Sequence, residues 1–259
     1  MHVSKAVARE TLLTYCEQLL RLDAYADYAP NGLQVEGRAE IRRIFSGVTA
    51  SQALLDEALL QGADTVLVHH GYFWKSEDAR VIGMKRKRLA TLLKHDINLI
   101  AYHLPLDGHP VYGNNAQWAM ALGLKETQGF LGSATARIGV RGVLPEAVSG
   151  LALKHKLERI LGREVLHIPA TDEQRPLRSL GLCSGGAQGY IAEAAALGLD
   201  AYLSGEISEQ TTHIAREAGI DYFACGHHAT ERFGVRALGE HLADTFGIEH
   251  SFVDLANPA

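Results

Sequence analysis

Residues 44–71 read IFSGVTASQALLDEALLQGADTVLVHHG. An apolar run, Ile44 to Val48, gives way to small and hydroxyl residues and then to a stretch with helical spacing. Gly62 closes that stretch, Asp64 follows, and a second apolar run from Thr65 ends on His69, His70 and Gly71. Strand, turn, helix, glycine stop and strand is the order of a βαβ unit, which implies parallel strands and a crossover helix. Neighbouring strand residues point to opposite faces, so two adjacent histidines serve one site only if the chain bends where the strand runs out.

The same order returns at LGLCSGGAQGYIAEAAALGLDAYLSGEIS, residues 180–208. Gly62-Ala63-Asp64 matches Gly198-Leu199-Asp200 at an offset of 136 (64 to 200), which sets His70 opposite Glu206. Each half continues with another helix and strand. RLATLLKHDINLIAYHLPLD ends in His103 to Asp107, and THIAREAGIDYFACGHHATE ends in His227 to Glu231, both His-x-x-x-acid after an apolar run. Any two βαβ units look alike at this level, but polar residues matched at matched strand ends favour a duplication. Alternating strands and helices predict mostly parallel, mixed sheets with helices on both faces, a three-layer α/β/α architecture. The expected division is 1–125 for the first repeat and 126–259 for the second, with the C-terminal part packing back on the first. Residues from about 126 to 178 read as short strands (TARIGVRGVL), a helix (LALKHKLERILG) and a loop that links the halves and opens the second.

The 259 residues are 47% apolar and 21% charged with a formal net charge of −5, which argues against a dedicated nucleic-acid binder. No apolar run approaches the length of a membrane span. MHVSKAVARETLLTYCEQLL carries acids and lacks the apolar centre of a signal peptide, and predicts an amphipathic helix starting near Ser4. Three scattered cysteines, Cys16, Cys183 and Cys225, with no C-x-x-C, point away from disulfides and thiolate zinc and toward a reducing cytoplasm.

In open α/β sheets, ligands gather at the carboxyl ends of the strands. Four such ends here carry polar clusters: His69-His70, His103 to Asp107, Ser204-Gly205-Glu206, and His227 to Glu231. Imidazoles and carboxylates together form the ligand set of zinc, manganese, iron or nickel. A helix starting after Gly226 puts His227 and Glu231 on one face, whereas Pro105 predicts an irregular loop for His103 to Asp107. His69, His70, Asp107, His227 and Glu231 are too many for one open catalytic ion. Two divalent ions bridged by a carboxylate, roughly 3.5–4 Å apart, account for them more simply.

These residues carry a family resemblance. YAPNGLQVEG (28–37), GVTASQALLDEA (47–58), HHGYFWK (69–75), YHLPLD (102–107), GNNAQ (113–117), GEISEQT (205–211) and GHHATER (226–232) resemble the GTP cyclohydrolase I type 2 homologues, the NGG-interacting-factor-like family. The likeness spans nearly the whole chain and is weakest between about 126 and 178. It implies two intertwined α/β repeats, and two metal ions held by His69, His70, Asp107, His227 and Glu231. One histidine would go to each metal, with Glu231 the bridge. It also implies self-assembly into a toroidal homohexamer.

The reading that follows is a metal-dependent hydrolase in which a metal-bound water attacks a small-molecule or nucleotide substrate. The alternative is a ring-shaped metal-binding scaffold or regulatory protein. His103 is expected to orient Asp107 or a metal water, and Glu206 or Glu209 to take a proton or bond local backbone. Met84 to Arg88 reads as a solvated basic helix face, Lys75 as a candidate phosphate contact, and Phe73 and Trp74 as stacking or as core residues. Ser184 to Gly189 reads as a close backbone turn, and Asn31 to Gln34 as a turn near the site or at an interface.

Overall fold

The computed structural model describes residues 5–259; Ser4 lies outside them, and the helix expected to start near it begins only at Arg9, because Val7 and Ala8 pair as a strand first. The chain opens with β1 (Val7–Ala8), α1 (Arg9–Leu20), β2 (Gly32–Val35) and β3 (Glu40–Ile41). Two βαβ turns follow: β4 (Arg43–Thr49), α2 (Gln52–Leu60), β5 (Thr65–His70), α3 (Gly83–Lys94) and β6 (Asn98–Ala101). Next come α4 (Leu104–Gly108), α5 (Asn114–Leu122), β7 (Lys125–Gly132), β8 (Arg137–Ser149), α6 (Gly150–Leu161) and β9 (Leu166–Ile168). A second pair of βαβ turns is β10 (Pro176–Cys183), α7 (Ile191–Ala196), β11 (Ala201–Ser204), α8 (Glu209–Ala218) and β12 (Asp221–Ala224). After them come α9 (His227–Thr230), α10 (Arg232–Phe246) and β13 (Glu249–Phe252).

Two compact units result, and neither is continuous in sequence. The first takes 1–106 and Gly234–Ala256, the second Asp107–Phe233 and Asn257–Ala259. The division therefore falls earlier than residue 125, because α5 packs on β8, β10 and α6 and so belongs to the second core. The C-terminal stretch returns to the first unit, where β13 adds a parallel strand beside β4. Among the described residues, no helix is long and apolar enough to cross a membrane.

The first sheet has the order β13-β4-β5-β6-β2, parallel except for β2 at the edge. The second has the order β7-β8-β10-β11-β12-β9. Its parallel centre is β10-β11-β12, with antiparallel β8 and β9 on either side and β7 outermost. Residues 137–149 form one long strand here rather than short pieces, whereas the predicted helix over LALKHKLERILG is present as α6. Ser149 starts that helix by accepting from Ala152 N, and Ser51 does the same for α2 by accepting from Leu54 N. Leucines and alanines of α2 and α3 cover one face of the first sheet; α1 and α10 cover the other. In the second unit, α5 and α6 cover one face and α7 and α8 the other.

The duplication is written in hydrogen bonds. Asp64 Oδ2 accepts from the backbone N–H of Arg42 and Arg43 at 2.8 and 3.1 Å. Asp200 Oδ2 accepts from Arg178 and Ser179 at 2.9 and 2.8 Å, the same pair of positions 136 residues on. Registers agree: Ile44 pairs with Thr65 and Leu180 with Ala201. At the far strand end, Tyr102 N donates to Val68 O and Cys225 N to Ser204 O. This last match sets His103 opposite Gly226, one position before His227, so the two His-x-x-x-acid segments correspond in place but not in frame.

Burial works against the Asp200 charge, but its backbone donors hold its carboxyl below the usual range. A lowered folded pKa gives stability that is present above about pH 4 and is lost as pH falls through the folded value. Replacing Asp64 with Ala strands two backbone donors and removes charge-assisted bonds, at a cost of about 2–3 kcal/mol. Urea unfolding of Asp64→Ala checks this, with a lowered midpoint at unchanged slope expected.

Candidate metal centre

The first unit brings three imidazoles together. β5 runs through His70 before Gly71 turns the chain. A Cβ on Gly71 would lie 2.1 Å from Gln34 Oε1, so only glycine lets that side chain reach across to accept from Tyr72 N. The rings of His69 and His70 converge at 4.8 Å, and His103, just after β6, lies 5.0 Å from His69 and 5.7 Å from His70. One ligand atom of each of the three lies within 4.8 Å of the others.

Their tautomers are set by acceptors. His69 Nδ1 is 2.9 Å from Tyr102 O, and a carbonyl only accepts, so Nδ1 carries the proton and Nε2 the lone pair. His103 Nδ1 likewise donates to Asp27 Oδ1 at 2.9 Å. His70 Nδ1 shares a 3.3 Å contact with the Thr49 hydroxyl. Asp27 also accepts from Leu104 N and from Asn31 Nδ2, while Asn31 Oδ1 accepts from His103 N. Burial opposes the Asp27 charge, but His103, Asn31 and the Leu104 N–H bring its carboxyl down to about 2. Pro105 sits in the first turn of α4, where its missing N–H costs nothing, so His103 directly precedes a short helix that carries Asp107, and the segment is not an irregular loop.

The second unit positions an acid, a histidine and a second acid. Asp107 is 7% exposed and its Oδ1 accepts from Asn114 Nδ2 and Ser184 Oγ, each at 2.9 Å. His227 opens α9 and Glu231 caps it, with Nε2 and Oε2 3.2 Å apart. His227 Nδ1 donates to Glu206 Oε1 at 2.7 Å. Desolvation alone would depress the His227 pKa, but Glu231 and Glu206 raise it to about 9. Burial, and then the Asp107 and Glu231 charges, hold the Cys183 thiol well above its ordinary range. Gly185 stands at φ +67°, and a Cβ there would lie 2.2 Å from Glu231 Oε1. The Ser184 to Gly189 turn therefore shapes the space around His227 and Glu231.

Oxygen and imidazole donors fit a divalent metal ion, and the proton that two carboxylates hold on His227 is what such a cation displaces. A model of the Duf34/NIF3 (NGG1p interacting factor 3) family matches residues 7–258. The chain belongs to the Duf34/NIF3 family. A Pseudomonas aeruginosa protein named GTP cyclohydrolase 1 type 2 homolog is 54% identical over 255 residues, 98% of this chain and all of that one. A solved structure described as protein ybgI, of unknown function, is 48% identical and covers 98% of this chain and 100% of its own, with a TM-score of 0.93. TTHA1606 from Thermus thermophilus is 32% identical over the same shares, with a TM-score of 0.88.

For this Duf34/NIF3 chain, the sequence pointed to the histidines and acids but missed the groups that aim them. Thr49 and Asn114 lie in the family stretches and Ser184 in the glycine-rich turn, but those motifs do not announce their bonds to site residues, and Asp27 lies in none of these segments. Asp27 did have a local signal, since it caps its own turn by accepting from Tyr28 N and Ala29 N. Asn31 and Gln34 lie at β2, not in a free turn, and hold His103 N and Tyr72 N. Glu206 orients His227, while Glu209 pairs with exposed His213. Of the basic run, Lys85 pairs with Glu77 and Arg88 lies over the Tyr72 ring, so only part of it is a solvated face.

Two outcomes follow from this geometry. Gly185→Ala forces a Cβ into the Glu231 carboxylate and lowers metal occupancy measured by elemental analysis, with far-ultraviolet circular dichroism unchanged. Asp27 has a folded pKa near 2 against about 3.9 unfolded, so its stabilisation holds above pH 4 and fades as pH approaches 2. The stability gap between the native protein and Asp27→Asn, read by thermal unfolding across pH 2–6, closes at the acid end.

Proposed function

We propose that His69, His70, Asp107, His227 and Glu231 hold two divalent metal ions and that the protein is a metal-dependent hydrolase. The observation that carries this reading is a shared tautomer. His69, His103 and His227 each commit Nδ1–H to a carbonyl or carboxylate, as ligating histidines do when an outer partner orients them. This leaves Nε2 as the ligating atom, on His227 once the proton it shares with Glu231 is displaced. Zinc, manganese, iron or nickel all suit this donor set. Bound there, two such ions supply Lewis acidity toward a carbonyl or phosphoryl oxygen and acidify water.

The chain's own residues do the rest. Ser184 and Asn114 fix which Asp107 oxygen faces the site, and Glu206 keeps His227 in its ligating tautomer. His103, backed by Asp27, holds a proton at Nδ1 and has Nε2 to accept one from a reacting group. The name GTP cyclohydrolase 1 type 2 homolog, carried by the Pseudomonas relative, makes attack on a purine nucleotide the specific version to test first. Assembly into a ring-shaped homohexamer and a cytoplasmic setting belong to the same reading; the free thiols of Cys16, Cys183 and Cys225 suit a reducing compartment.

A second reading, a metal-binding scaffold or regulatory protein, draws on the depth of the donors. His69, Asp107 and Glu231 are all under 8% exposed, which suits a closed structural site. Elemental analysis of the purified protein and of Glu231→Ala, with a panel of GTP, other nucleotides, phosphodiesters and short peptides, separates the two. Two metals per chain that drop in the variant, together with a hydrolysis that disappears, is the result expected. Metal without turnover of any panel member selects the scaffold. Protein that takes up neither Mn²⁺ nor Zn²⁺ rules out the centre itself. Light scattering near six times the 28.1 kDa chain mass tests the ring.

A further inference from the structure

An aromatic wall stands against the three imidazoles of the first unit, and its construction goes beyond what a metal site needs. Tyr28 meets the His103 ring edge-on at 5.0 Å and lies 5.7 Å from Trp74. Trp74 in turn meets His103 edge-on at 5.1 Å and lies 5.9 Å from His70. Tyr28 keeps 52% of its surface exposed although it contacts both His103 and Trp74. A core ring would be covered; this one is fixed in place with much of its surface open to solvent.

The turn that carries the wall is specially built. Phe73 adopts φ +64°, a left-handed conformation that a bulky residue takes only when its surroundings impose it. Glu77 imposes it by accepting from both Phe73 N, at 2.6 Å, and Trp74 N, at 3.2 Å. Lys85 ties Glu77 down at 3.3 Å and lies over the Phe73 ring at 5.1 Å. Lys75 N donates to Tyr28 O, which joins the two aromatic segments, and Trp74 Nε1 donates to Gly71 O. Backbone strain, a partly buried ion pair and cross-segment bonds all serve to hold Tyr28 and Trp74 beside the histidines.

We infer that Tyr28 and Trp74 are the substrate-selecting surface of this site and take a planar heteroaromatic ring of the nucleobase class by stacking. Electron-rich phenol and indole faces stack well on electron-poor heterocycles, and they do so without demanding one base. A ring seated on this wall places its edge carbons beside the His69, His70 and His103 cluster. The inference rests on the metal-centre reading for its chemistry but not for its binding step.

Tryptophan fluorescence reads the wall directly. The chain has two tryptophans; Trp118 is fully buried in the second unit and Trp74 stands in the wall. The purified protein, its metal content measured on the same sample, is titrated with GMP, AMP, UMP and nicotinamide mononucleotide, and with ribose 5-phosphate, which has the phosphate but no ring. Saturable quenching by ring-bearing ligands alone is expected. Tyr28→Ala should shift its midpoint about tenfold, Tyr28→Phe should restore it, and Trp74→Phe should erase the signal. No quenching by any ring, equal quenching by ribose 5-phosphate, or an unmoved midpoint in Tyr28→Ala overturns the assignment. So does a change of oligomeric mass in Tyr28→Ala, which gives the wall to a second copy of the chain. Metal retained without ring binding removes the wall and leaves the centre; ring binding without metal does the reverse.

Discussion

Each repeat depends on one aspartate at the start of its second strand. Asp64 and Asp200 take two consecutive backbone N–H groups from the start of the strand next door, and this fixes register at the end opposite the site. Strand side chains alternate with period two, so a slip of one residue would exchange His69 for His70 on every face they meet. The bonds at the base of the sheet thus decide what stands at its rim. A carboxylate is well suited to this, because its charge makes each N–H bond stronger than a neutral acceptor would.

At the rim, the same economy of charge recurs with a different purpose. Asp27 and Glu206 each point at a candidate ligand or its neighbour, while Asp107, itself a candidate ligand, is aimed by Asn114 and Ser184. None of the three is placed to neutralise a surface cation. They set tautomers and rotamers, which is how a site becomes rigid enough for chemistry without a rigid loop. Where the chain must pass close to these groups it uses glycine, at Gly71 beside Gln34 and at Gly185 beside Glu231.

Much of this was legible because it is local. The GAD and GLD turns, the apolar runs ending in HHG and in CGHH, and the spacing of His227 from Glu231 all announce themselves within a few residues. The offset of 136 read from those turns recurs in the registers that the strands adopt. What stayed hidden is long-range. Asp27 reaches His103 across 76 residues, Ser184 reaches Asp107 across 77, and no periodicity encodes either. Pro105 misled because a proline inside a pattern and a proline in the first turn of a helix look the same until the helix start is known. The place of α5 was decided by its packing on β8, β10 and α6, which composition does not show.

The return of the C-terminal stretch has a consequence for how the protein is made. The outer edge of β4 is completed only by β13, residues 249–252, yet β4 itself leaves the ribosome some two hundred residues earlier. Until then the first unit carries an open parallel edge, the kind of surface that pairs with strangers. Nearly all of the second unit, residues 107–233, is finished before that edge can close. Completion therefore does not follow sequence order: the unit that bears the histidine cluster is sealed by a strand that emerges after nearly all of the later-encoded unit.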